Sequence, residues 1–96
     1  MEYTQIGYIS KQHGLRGNLL LNLFPDYKIS ITKIKYLFVE MKASKVPFEI
    51  NKIIFSKNQS YIIKFKNYNN REKTNQFVSI DLYFRVTLRK TFTNLV

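Results

Sequence analysis

Short runs in which apolar and polar residues alternate dominate the chain, and this period of two predicts strands rather than helices. The clearest run is Asn18 to Phe24, where Leu19, Leu21 and Leu23 fall on one face. The same pattern predicts three further strands, over residues 3–10, 36–41 and 79–86.

Two glycines interrupt the pattern after the first strand. Alternation within that strand places Ile6 and Tyr8 on one face and Ile9 on the other. The segment that follows reads Lys11-Gln12-His13-Gly14-Leu15-Arg16-Gly17. Glycines spaced three apart predict a tight turn that needs either positive φ or the close approach of another backbone segment.

Residues 48–66 predict a hairpin with its turn over 56–60. If Ser56 faces Ser60, cross-strand packing pairs Phe55 with Tyr61 and Ile53 with Ile63 on one face. The opposite face then has Lys52 opposite Lys64, and Ile50 opposite Lys66. Like charges directly opposite each other are destabilising, so we expect this basic face, composed of Lys52, Lys64 and Lys66, to be exposed and to attract anions.

One segment has the signature of a helix. Asn69-Asn70-Arg71-Glu72 has the spacing of a capping box, with Asn69 as the N-cap, and predicts a brief helix to about Phe77. Together with this helix, the strands predict an all-β fold, a six-stranded antiparallel barrel that is closed or nearly closed.

The composition bounds what this barrel does. A chain of 96 residues forms one domain, and a net charge of +10 indicates an anionic partner, with nucleic acid the first candidate. Lys outnumbers Arg by 12 to 4, and the abundance of Lys, Asn and Ile is equally explained by a bias in base composition. Residues 1–27 carry no net charge, whereas 28–45 and 46–73 carry +4 each.

Few residues are suited to catalysis or to holding a cofactor. The chain has one histidine, His13, and no cysteine, so we expect no metal site, no cofactor and no catalytic residues. It shows neither a signal-peptide pattern nor an apolar run long enough to cross a membrane. These features predict a cytoplasmic, monomeric, non-enzymatic protein.

Several motifs follow one another in a specific order along residues 3–86. They are Gly7 with Ile9, the turn from His13 to Gly17, Phe24-Pro25, the strand Ile34 to Val39, the strand Tyr61 to Phe65, Asn69 to Glu72, and Leu82-Tyr83-Phe84. In this order they resemble the N-terminal domain of the RimM family of ribosome maturation factors, which implies a barrel of the translation-factor type. The chain departs from the family pattern at Asn18, where members usually carry Glu, and at Asn69 and Asn70, where they carry Asp.

The resemblance also implies a domain organisation and a function. Residues 1–86 would form the barrel, and 87–96 a tail or the start of a linker to a second barrel that this chain lacks. RimM-like proteins assist assembly of the small ribosomal subunit. They bind the immature head through ribosomal protein S-nineteen and promote processing and folding of 16S rRNA.

The turn after the first strand supplies the candidate partner-binding residues His13, Gly14, Leu15, Arg16 and Gly17. We expect the two glycines to set the backbone geometry, and His13 and Arg16 to contact the partner, because polar side chains at a turn gain little from the core. Two alternatives stay open. One is a barrel that binds RNA directly through the basic face, and the other is an accessory domain of an enzyme.

The aromatic residues are expected to fill the barrel rather than to stack on bases. This expectation covers Tyr36, Phe38, Phe55, Tyr61, Phe65 and Tyr83.

Overall fold

Six antiparallel strands close into a barrel in the computed structural model, which describes residues 3–25, 33–78 and 84–89. The strands are β1 (Tyr3–His13), β2 (Asn18–Leu23), β3 (Tyr36–Met41), β4 (Ser44–Lys57), β5 (Ser60–Phe65) and β6 (Phe84–Arg89). Around the barrel they follow the order β1-β2-β5-β4-β3-β6. The predicted all-β barrel is confirmed.

The last strand closes the barrel. β6 pairs with β1 on one side, where Tyr3 lies opposite Arg89, and with β3 on the other, where Phe38 lies opposite Thr87. The strand predicted over 79–86 is found at Phe84–Arg89, and residues 79–83 and 90–96 lie outside the described residues. The division of the chain into barrel and tail stays a prediction.

Alternating side chains from all six strands fill the interior. Leu19, Leu21 and Leu23 are buried, as the sequence pattern predicts. The predicted separation of Ile6 from Ile9 is wrong, because both are buried in the core. A bulge between Gln5 and Gly7 breaks the alternation, since an extra residue in one strand brings the next side chains onto the same face.

A cluster of four aromatic rings packs at one end of the core. The centroid of the Phe77 ring lies 4.9 Å from that of Phe48, 5.3 Å from that of Phe65 and 5.4 Å from that of Tyr68. Phe65 and Phe77 are fully buried. The cluster anchors the segment that follows β5 to the barrel.

The expectation that the six aromatic residues fill the barrel is only partly correct. Phe65 is buried, and Phe38 and Tyr61 are half-buried. Tyr36 and Phe55 are 46% and 57% exposed, so the expectation is wrong for these two. Tyr83 lies outside the described residues.

The β4–β5 hairpin has most of its predicted register. Phe55 pairs with Tyr61, Ile53 with Ile63 and Lys52 with Lys64. Two predicted pairs are wrong because β4 contains bulges at those points. Ser60 pairs with Lys57 rather than Ser56, and Ile50 pairs with Phe65 rather than Lys66.

The predicted brief helix is a set of tighter turns. The backbone after β5 forms bonds between residues three apart, such as Thr74 N to Arg71 O at 3.2 Å, and ends in a 3₁₀-helix at Asn75–Phe77. The predicted cap at Asn69 is wrong: the side chain that accepts a backbone hydrogen bond at the start of these turns is Asn70, whose Oδ1 accepts from the Lys73 N–H at 2.8 Å. The N-cap of the 3₁₀-helix is Thr74, which makes no side-chain capping bond. In the described part of the chain, no helix is long and apolar enough to span a membrane.

Candidate functional site

The predicted partner-binding turn connects β1 to β2. His13 pairs with Asn18 at the end of the β1–β2 ladder, and the four residues between them, Gly14 to Gly17, form the β1–β2 loop. This loop lies against residues 67–77, which we call the bracing segment. The structure therefore brings together two parts of the chain more than 50 residues apart in sequence.

The two glycines of the loop act differently. Both have positive φ, 75° at Gly14 and 88° at Gly17. A Cβ atom at Gly14 would meet no neighbouring atom within 4 Å, so only its backbone conformation favours glycine. A Cβ atom at Gly17 would overlap the carbonyl group of Tyr68. The predicted requirements, positive φ and close approach, are thus both met at Gly17.

Arg71 of the bracing segment holds the loop through two hydrogen bonds. Its backbone N–H donates to the Leu15 carbonyl at 2.9 Å, and its guanidinium Nη1 donates to the Gly14 carbonyl at 3.0 Å. A charged donor makes the second of these bonds stronger than a neutral one. Two consecutive carbonyl groups of the loop are fixed in this way.

Gln12, the penultimate residue of β1, makes the second set of contacts. Its Nε2 donates toward the Arg71 carbonyl at 2.6 Å, Thr74 Oγ1 at 3.0 Å and Asn75 Oδ1 at 2.9 Å. The two amide hydrogens are shared among these three acceptors. Thr74 is fully buried, and its hydroxyl in turn donates to the Arg71 carbonyl at 3.0 Å. The bracing segment is therefore tied to β1 as well as to the loop.

Three side chains project from this braced backbone. Leu15 is 75% exposed, and His13 and Arg16 are also exposed. Among the described residues, neither the His13 imidazole nor the Arg16 guanidinium forms a hydrogen bond or an ion pair. An aliphatic, an imidazole and a guanidinium group are thus displayed together from a backbone that has little freedom to move.

The predicted basic face is only partly assembled. Lys52 and Lys64 lie directly opposite each other on β4 and β5, as predicted. Lys66 instead has its ammonium 3.9 Å from a carboxylate oxygen of Glu49. Two of the three lysines therefore form an uncompensated pair within the described residues, and the third has an acidic partner.

Gln12, Thr74 and Tyr68 are part of the site but not of its sequence-based prediction. Gln12 reads as an ordinary polar position at the end of a strand, and Thr74 as a polar residue in a short helix. No local pattern connects residues 12 and 74, because they lie 62 residues apart and meet only once β1, β2 and β5 have paired. Among the described residues, no group of His, Asp or Glu side chains is arranged to hold a metal ion.

The fold and the site define a class of protein: a small closed β-barrel that displays a braced loop between its first two strands. The RimM N-terminal domain family model matches residues 4–88. The chain therefore belongs to the RimM N-terminal domain family.

Curated relatives and solved structures agree with this assignment. The chain is 26% identical over 83 residues to the ribosome maturation factor RimM of Phocaeicola vulgatus, a match that covers 86% of this chain and 48% of the relative. The RimM of Bacteroides thetaiotaomicron is 27% identical over 85 residues, with 88% and 47% covered. The chain thus spans about half the length of these relatives.

Two solved structures share the fold. The 16S ribosomal RNA processing protein RimM of Pseudomonas aeruginosa superposes with a TM-score of 0.77 at 15% identity, covering 95% of this chain and 52% of that one. The solution structure of the N-terminal domain of RimM from Thermus thermophilus gives 0.70 at 16% identity, with 93% and 91% covered. The second comparison matches nearly the whole of an isolated N-terminal domain.

Proposed function

We propose that this chain is the N-terminal barrel of a non-enzymatic factor for maturation of the small ribosomal subunit. Its β1–β2 loop docks on the immature head at ribosomal protein S-nineteen, and the protein assists processing and folding of 16S rRNA in the cytoplasm. The names of the relatives support the ribosomal role, since they are ribosome maturation factors and a 16S ribosomal RNA processing protein.

The observation that carries the choice of site is the exposure of Leu15 on a braced loop. A leucine that is 75% exposed contributes nothing to the core, yet the carbonyl on either side of it in the loop backbone, at Gly14 and at Leu15 itself, is held by Arg71. Rigid display lowers the entropy lost when a side chain is immobilised at an interface. Arg16 and His13 on either side add polar groups that suit the rim of such a contact.

The test removes the displayed side chains and leaves the hydrogen bonds between the loop and the bracing segment intact. We expect the double variant His13→Ala/Arg16→Ala, and separately Leu15→Ala, to weaken co-sedimentation of the 96-residue chain with immature small subunits by about tenfold, equivalent to ~1.4 kcal/mol of binding. All three side chains are exposed, so Tm should stay within a few degrees of the parent value.

The matched control is Lys57→Ala/Gln59→Ala, which also removes one cation and one polar group but at the exposed β4–β5 turn. Its co-sedimentation should equal that of the parent chain. If the loop variants co-sediment as well as this control, the β1–β2 loop is not the docking site.

The second candidate function, direct binding of RNA, is favoured by the Lys52 and Lys64 pair. The two functions differ in what supplies most of the affinity, since in direct RNA binding the neutralised phosphates supply it and the affinity for bare 16S rRNA is high at low salt and falls steeply as salt rises. Tight binding to bare 16S rRNA, without any binding to ribosomal protein S-nineteen, would reject the first candidate in favour of the second.

A further inference from the structure

The outer surface of β2, β5 and β4 is organised in rows by the strand register. Lys52 and Lys64 are cross-strand partners in one row. In the next row Ile62 lies between Leu20 of β2 and Ile54 of β4, and Ile54 is 44% exposed. This face therefore pairs two ammonium groups with an adjacent aliphatic strip.

The two lysines oppose each other without a carboxylate among the described residues. Side chains directly opposite on antiparallel strands have Cβ atoms roughly 4.5–5.5 Å apart, and like charges in this position destabilise the sheet. The acidic side chains that form ion pairs have other partners: Glu40 pairs with Lys45 and Arg85, and Glu49, in the row on the other side of the lysine pair, pairs with Lys66. An anion placed between Lys52 and Lys64 would remove the repulsion.

The lysine pair also lies near the loop end of the barrel. Leu19 of β2 pairs with Ile63 of β5. In this antiparallel register Lys64 lies beside Asn18, the first residue after the β1–β2 loop. A surface that docks through the loop brings its flank close to these lysines. The lysine pair is thus in a position to add a contact to the same partner particle.

We propose that Lys52 and Lys64 together bind the phosphate backbone of RNA, as a second contact beside the β1–β2 loop. This inference rests on the proposed function in one respect, namely that the partner particle contains RNA. Lysine ammonium groups bind phosphate as point charges and do not read base edges, so the contact is independent of nucleotide sequence. The adjacent row of Leu20, Ile62 and Ile54 offers no aromatic ring for base stacking, which also favours contact with the backbone over contact with bases.

The test measures binding of the 96-residue chain to a fluorescein-labelled 20-nucleotide oligouridine over a range of salt concentrations. Removing two phosphate contacts from a single strand should reduce the slope of log affinity against log salt by about 1.4. We expect this reduction in Lys52→Gln/Lys64→Gln. The control Lys35→Gln/Lys42→Gln removes the same charge from the exposed β3 side and should reduce the slope by less than about half as much.

Three further measurements complete the test. The variant Lys52→Arg/Lys64→Arg retains both charges and should keep the parent slope, whereas Lys52→Gln/Lys64→Gln should unfold at no lower temperature than the parent in low salt, since the like-charge repulsion is gone. Poly-glutamate of equal charge concentration should displace the RNA poorly.

Equal slope reductions in the two glutamine double variants would mean a diffuse positive field and overturn the proposal. Efficient displacement by poly-glutamate would assign the pair to an acidic polypeptide, and absence of RNA binding in low salt would exclude the site altogether. Because the probe is bare RNA, each of these results is independent of co-sedimentation with the subunit, which tests the β1–β2 loop.

Discussion

The β1–β2 loop and the β4–β5 turn both connect antiparallel strands, but their surroundings differ. The loop is held by Arg71 through the carbonyls of Gly14 and Leu15, and Gly17 packs directly against the bracing segment. The β4–β5 turn has positive φ at Asn58 and one backbone bond to a neighbouring strand, from Leu23 N to the Gln59 carbonyl at 2.9 Å. Each also displays an apolar side chain, Leu15 at the loop and Phe55 beside the turn.

This difference shows that an exposed apolar side chain is not necessarily one that is held in a fixed position. An exposed apolar residue is common on any protein surface and by itself indicates no function. At the β1–β2 loop, however, buried and charged groups are used to fix the backbone of an exposed segment, including the fully buried Thr74. Groups used in this way stabilise a specific loop conformation, and that conformation is what a partner would recognise.

The largest effect is expected from Gly17→Ala. The methyl group would overlap the Tyr68 carbonyl in a backbone conformation, φ 88°, that alanine rarely adopts. We expect a loss of more than about 3 kcal/mol of unfolding free energy, which for a domain of this size lowers Tm by at least about 12 °C. The change in Tm is measured by thermal unfolding monitored with circular dichroism.

Gly14→Ala is the matched control for Gly17→Ala. It has a similar φ of 75° but open space around the added methyl, so it should lose only about 1 kcal/mol. Equal losses at the two positions would show that backbone conformation alone limits the loop, and that its contact with the bracing segment contributes little.

A smaller effect is expected from Gln12→Ala, which removes the donor shared by the Arg71 carbonyl, Thr74 Oγ1 and Asn75 Oδ1. Its loss should reduce the unfolding free energy by about 1.5 kcal/mol. The bracing segment should also become more mobile. The Arg71 amide, which is hydrogen-bonded to the Leu15 carbonyl, should therefore exchange its hydrogen about tenfold faster.

Gln59→Ala serves as the control for Gln12→Ala, since Gln59 is exposed and its bond to Leu23 uses the backbone carbonyl that alanine retains. It should leave both the stability and the Arg71 exchange rate unchanged. Unchanged Arg71 exchange in Gln12→Ala would contradict a role for Gln12 in the brace.

The smallest effect is expected from Phe55→Ala. Phe55 is 57% exposed, and its described ring contact is a T-shaped one with Tyr61 in which the ring centroids lie 5.5 Å apart. The loss of unfolding free energy should therefore be below about 1 kcal/mol, with no change in Arg71 exchange. Urea unfolding checks the stability. A loss above about 2 kcal/mol would mean that the β4–β5 turn is supported as strongly as the loop.

The sequence alone predicts those features that depend on local patterns. The period of two places Leu19, Leu21 and Leu23 in the core, and the two glycines predict the loop geometry. The same reasoning fails at bulges. One inserted residue, at Ile6 or Ser56, changes the side-chain face or the register, and no distinctive residue type marks its position in the sequence. The contacts of the bracing segment cannot be predicted from the sequence, since Gln12 and Arg71 lie 59 residues apart and meet only in the folded domain.

Closure of the barrel by β6 has a consequence for how the chain is made. β1 is synthesised first, yet one of its two partner strands is β6, which pairs residue 3 with residue 89. At translation rates of 5–20 residues per second, roughly 4 to 17 s separate the synthesis of these two residues. During that interval the edges of β1 and β3 lack their native partner and are open to pairing with other chains. Such long-range pairing slows folding, so nascent chains of this domain depend on β6 for protection against aggregation as well as for stability.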